Sequence, residues 1–132
     1  MQWLGLWGAY APVYLKVLVI GTTLAFALPI FLVPLHWARA MQWRIPEHTD
    51  LAVYFGRCLG AFILIFEWLA WRAAHGHDIE VVFRMLLAIT GSMVLVHIYG
   101  ALRRIQPWTE TLEIGFYAGL FALSVLFYPL AT

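Results

Sequence analysis

Four long apolar stretches separated by three short polar intervals organise this sequence. A helix needs about 20 mostly apolar residues to cross a hydrocarbon core of about 30 Å, and each stretch reaches that length. The first covers residues 12–35. Pro12 near its start removes an N–H that has no helical partner there, and Lys16 can snorkel outward. Pro29 is expected to bend this helix, and Pro34 fits its end. After a polar loop carrying Arg39, Arg44, Glu47 and His48, the second stretch covers residues 51–71, with Thr49 or Asp50 as its cap. The third covers residues 80–102 behind Asp78, and the fourth residues 110–130 behind Thr109. Glu110 and Glu113 suit the positive end of that last helix.

Short loops make successive helices antiparallel neighbours. The fold class that follows is all-α: an integral membrane, antiparallel up-down four-helix bundle, with residues 1–132 forming one domain. The first residues lack the positive charge of a secretory signal and are expected to be retained. Trp3, Trp7 and Tyr10 suit the headgroup level. Loops one and three share one membrane face and carry Arg39, Arg44, Arg103 and Arg104, against Lys16, Arg72 and Arg84 at the other face. This asymmetry favours termini on the outside.

Composition strengthens the membrane reading. Of the 132 residues, 64% are hydrophobic and 11% charged, whereas a soluble domain is about 45–50% apolar and about 25% charged. A formal charge of +1 without a basic run gives no case for nucleic acid. The single cysteine, Cys58, excludes an intrachain disulfide and any multi-cysteine metal site.

Candidate chemistry lies in the charges that interrupt the apolar stretches, because an ionised side chain in hydrocarbon costs about 2.5–3.5 kcal/mol and needs a partner or a task. Arg57, His97 and Glu113 fall at similar depth, about one to two turns below loops one and three. Glu110, Glu113 and Tyr117 recur at helical spacing on one stripe, and Tyr54 and Tyr99 lie within a turn. Three readings fit. One is a structural Arg57–Glu113 ion pair with His97 beside it. Another is a polar pocket for a quinone, a lipid headgroup or another small amphiphile. The third is a proton relay through His97 and Glu113. Toward the opposite face, Glu67, Glu80 and Arg84 form a second candidate ion-pair cluster.

Two small-residue strips, Gly56–Gly60 and Gly115–Gly119, can let helix backbones approach closely, within the bundle or against another subunit. His36 and His97 are the one conceivable haem pair, and His75, His77 and Asp78 form a weak metal motif. Neither is strong enough to assign a metal or cofactor.

Gly56-Arg57-Cys58-Leu59-Gly60 opens the second helix, Phe83-Arg84 the third, and an acidic start after Gln106-Pro107 the fourth. In these features the segment from Leu51 to Leu130 resembles the DoxX-like group of small four-helix bacterial membrane proteins. The resemblance implies an integral protein of the bacterial cytoplasmic (inner) membrane, and some relatives in that group are subunits of quinone-linked oxidoreductases. It carries over Arg57 alone, as a polar anchor. The long first loop, with Trp37, Trp43 and two histidines, departs from the pattern.

The function expected is that of a non-catalytic accessory or assembly subunit of a larger membrane complex, with the lipid bilayer and other membrane subunits or further copies of the chain as partners. The alternative is a quinone- or amphiphile-binding oxidoreductase component using Arg57, His97 and Glu113.

Overall fold

The computed structural model describes residues 1–130. They are helical without strands: a 3-10 turn at Gly8–Tyr10, α1 (Ala11–Thr22), a π-helical turn (Thr23–Ala27), α2 (Leu28–Leu32), α3 (Pro34–Ala40), α4 (Asp50–Ala74), α5 (Ile79–Arg103) and α6 (Trp108–Leu126). Four helical runs are long and apolar enough to cross a membrane: Gly8–Leu32, Asp50–Ala74, Ile79–Arg103 and Trp108–Leu126. Only 11% to 28% of the positions in their apolar windows are buried, so most of these positions keep some exposed surface.

Proline chemistry shapes the first run. Pro29 has no N–H to return to the carbonyl of Ala25, four residues back. The helix widens into the π turn just ahead of it, where the Leu28 N–H donates to the Thr23 carbonyl, five residues back. The Trp37 indole N–H then donates to the Ala25 carbonyl at 3.1 Å, filling the place that Pro29 leaves vacant. Farther on, Pro34 disfavours helical backbone in the residue before it. Val33 accordingly leaves the helix (φ −136°, ψ 60°), and α3 begins at Pro34. The first loop is therefore partly helical, with His36 on α3 rather than at the end of a continuous first helix. Trp37→Phe keeps the ring against Phe26 but removes the indole donor. It is expected to lower stability by about 1 kcal/mol, measured by thermal or denaturant unfolding in detergent.

The other helix starts refine the expected caps. Thr49 and Asp78 occupy N-cap positions but make no side-chain cap hydrogen bond. Asp78 instead supplies left-handed backbone (φ 56°), which Asp tolerates better than most residues. The N-cap of α6 is Pro107. Thr109 lies inside that helix and donates its hydroxyl to the Met41 carbonyl, so it ties the first loop to α6 and caps nothing.

Two packing zones hold the helices together. In one, Ala11, Leu15 and Val19 of α1 meet Ala70, Ala73 and Ala74 of α4 and Val82, Phe83 and Leu86 of α5. Small alanines let the larger Phe83 ring enter, where it meets Tyr14 and Tyr128 at centroid distances of 5.9 Å. Tyr14 also stacks on Phe127 and bonds Ser124 at 3.0 Å. The N-terminal segment closes this zone: the amides of Gly5 and Trp7 donate to the carbonyls of Val125 and Leu126 at the end of α6, where the regular helical ladder runs out.

The second zone is a close helix crossing. A Cβ at Gly60 would lie 2.6 Å from the Phe31 backbone, and one at Gly56 would lie 2.7 Å from the Pro34 ring. The first glycine strip thus packs within the chain, against α2 and the start of α3. Gly115 and Gly119 differ, since nothing lies within 4 Å of the Cβ position at either. They face outward on α6 and join no helix contact within the chain.

Candidate functional site

The α5–α6 turn builds the most buried polar site. The chain leaves α5 through left-handed Arg104 and enters α6 at Trp108 after Pro107. Gly100 makes room for this return, because a Cβ there would collide with the Gln106 side-chain amide. Gln106 Nε2 donates to the His97 carbonyl (2.9 Å) and to Thr111 Oγ1 (3.2 Å). The turn is thereby fastened to both helices.

Within it, His97 of α5 meets Glu110 and Glu113 of α6. His97 Nε2 lies 3.0 Å from Glu110 Oε2 and 3.1 Å from Glu113 Oε2. All three residues are at least nine-tenths buried. Spacing explains the pair of glutamates, since residues three apart share a helix face. His97 Nδ1 is 2.7 Å from the Met93 carbonyl. A carbonyl can only accept, so Nδ1 carries the hydrogen and donates it. Trp43 Nε1 donates to Glu110 Oε1 at 2.8 Å. The Tyr117 ring packs 5.1 Å from the imidazole at a tilt of 46°. The ligand-type atoms of His97, Glu110 and Glu113 lie within 4.8 Å of one another.

Arg57 is not part of this cluster. It is exposed on α4, in an open groove lined by Asp50, Val53, Tyr54, Arg57, Cys58 and Ala61, all on one face of that helix. Among the described residues it forms no ion pair, and Glu113 pairs with His97. The expected Arg57–Glu113 pair is therefore corrected: Arg57 lies at the anticipated position along its helix but on an outward face. Tyr54 and Tyr99 are likewise exposed and add no hydroxyl to the site.

The second expected cluster separates too. Glu80 and Arg84 pair at 2.5 Å on the exposed surface of α5, one turn apart, joined by the Tyr128 hydroxyl. Glu67 does not join them. It is buried on α4 and hydrogen-bonded to the Thr22 hydroxyl, whose oxygen also lies 2.6 Å from the Leu18 carbonyl. A carboxylate thus sits beside the π turn, where α1 is irregular.

The histidine alternatives find no geometry. His36 is exposed on α3 while His97 Nε2 faces the two glutamates, so they do not form an axial pair. His75 Nδ1 bonds the Trp71 carbonyl at 2.8 Å. Among the described residues, only His97, Glu110 and Glu113 cluster at metal-ligand spacing.

Trp43 and Gln106 are the site partners that the sequence alone did not single out. Trp43 lies 67 residues from the glutamate it meets, and no local signal joins them. The Gln-Pro dipeptide ahead of the acidic helix start was visible, but the use of its amide was not. The chain matches no protein-family model, no characterised protein and no solved structure.

Proposed function

We propose that this chain is a multi-pass membrane protein that serves as an accessory subunit, docking sideways against another membrane-embedded polypeptide that presents a carboxylate to Arg57. In this reading the four apolar helices cross the bilayer in antiparallel order. The bacterial cytoplasmic membrane, with termini outside, is the placement that accords with the DoxX-like resemblance and the arginine asymmetry. The outward-facing apolar surface of the four helices supports a lipid surround.

Arg57 is the observation that carries the reading. It lies seven residues beyond Asp50, about 10 Å along the helix axis, among exposed Tyr54, Phe55, Leu59 and Phe62. An exposed arginine without an ion pair at that depth is costly in lipid. The open glycine strip of α6 offers a second surface where a helix could approach closely. A quinone headgroup held jointly by Arg57, His97 and Glu113 is not supported, because Arg57 faces away from the other two.

The test is recovery of the full chain in mild detergent and in nanodiscs, with mass and cross-linking analysis. The wild type is expected with a stoichiometric second polypeptide or a further copy of itself, and Arg57→Glu is expected to release it as a monomer with unchanged helix content. A monomeric wild type indistinguishable from Arg57→Glu overturns the reading. So does a guanidinium effect that follows anionic lipid alone, because Arg57 then serves a lipid phosphate.

A further inference from the structure

We propose that His97, Glu110 and Glu113 bind one first-row divalent transition-metal ion. The inference is independent of any docking role. It starts from a convergence of acceptors. With the hydrogen on Nδ1 committed to the Met93 carbonyl, Nε2 of the neutral ring presents a lone pair. That lone pair faces Glu110 Oε2 at 3.0 Å and Glu113 Oε2 at 3.1 Å. These three electron-rich atoms, buried and within 4.8 Å of one another, can share protons or a single metal ion. One proton bridges a single nitrogen–oxygen line well, whereas one metal ion engages all three atoms together.

Spacing admits a metal, and the outer partners favour it. With bonds of about 2.1 Å, ligands at right angles sit about 3.0 Å apart and tetrahedral ones about 3.4 Å apart. The two nitrogen–oxygen separations, 3.0 and 3.1 Å, match the first, and all three ligand atoms lie within 4.8 Å of one another. Each of two ligands also has its remaining polar atom held from outside the cluster. The Nδ1–H of His97 is held by a backbone carbonyl, and Glu110 Oε1 by the Trp43 indole. Metal-binding histidines and carboxylates are oriented in this way. Gln106 and Gly100 fix the α5–α6 turn that sets the spacing. One imidazole and two carboxylates suit zinc, iron or manganese better than a soft copper(I) ion.

The experiment uses the full chain purified in mild detergent, its metal content, and titration of the chelator-treated protein with Co2+, read by visible absorption and by displacement with Zn2+. About one Co2+ per chain, displaced by Zn2+, is expected. His97→Gln and Glu113→Gln are expected to abolish the absorption band. Trp43→Phe, which touches no metal, is expected to weaken binding about 10- to 100-fold. A His75→Ala, His77→Ala double variant is expected to bind as the wild type does. The wild-type stoichiometry and the Trp43→Phe shift keep the test decisive if a ligand variant fails to fold. Absence of saturable Co2+ or Zn2+ binding in the wild type overturns the assignment and leaves a proton at this point. Loss of binding in the double loop variant, or retention in folded His97→Gln, overturns it equally.

Discussion

Phe83→Ala is expected to destabilise the detergent-solubilised chain by about 3 kcal/mol. Truncating a buried phenylalanine costs about 3–5 kcal/mol in water-soluble cores, part transfer and part cavity. In the bilayer placement proposed above, lipid tails solvate an apolar ring nearly as well as a protein core does, so the transfer share shrinks and the lost contacts dominate. Phe83 has no exposed surface. Its neighbours include Ala70 and Ala73, whose side chains are too short to fill the space, and the Tyr14 and Tyr128 rings lose a packing partner together. Reversible unfolding in mixed micelles measures the effect. A loss below about 1 kcal/mol would mean that the helices close over the gap, contrary to the usual rigidity of packed interiors.

The two glycine strips are expected to answer alanine in opposite directions. Gly60→Ala places a methyl group 2.6 Å from the backbone of Phe31, and backbone cannot rotate out of the way as a side-chain tip can. Overpacking of this kind costs about 1–3 kcal/mol. Gly115→Ala and Gly119→Ala meet open space, where exchanging glycine for alanine inside a helix gains about 0.5–1 kcal/mol. Unfolding of the three single variants decides it. Equal losses at all three positions would show that α6 also packs through its strip.

Much of the fold was legible in the sequence because length and hydropathy are one-dimensional quantities. The four apolar runs, the polar intervals and the disturbance at Pro29 could all be read by counting. Depth along a helix could be counted too, which is why His97, Glu110 and Glu113 were recognised as near neighbours. Rotation about the helix axis could not be counted. A helix that is apolar all round has no stripe to mark its inner face, so position along the helix alone pairs Arg57 with Glu113 and Glu67 with Arg84, whereas Arg57 faces outward and Glu67 meets Thr22. Arg57 follows Gly56 by a single step of about 100°, enough to carry it from the face packed on Pro34 to the open groove of α4. The partner of Trp43 is hidden for a different reason, since a contact spanning 67 residues leaves no periodic trace. The π turn was only half visible. Proline announces a missing donor, but not that Trp37 supplies another.

The bonds from Gly5 and Trp7 to the last carbonyls of α6 also impose an order on assembly. During synthesis residues 5 and 7 emerge from the ribosome long before residues 125 and 126 exist. The bonds that fasten residues 5 and 7 can therefore form only after α6 has been made.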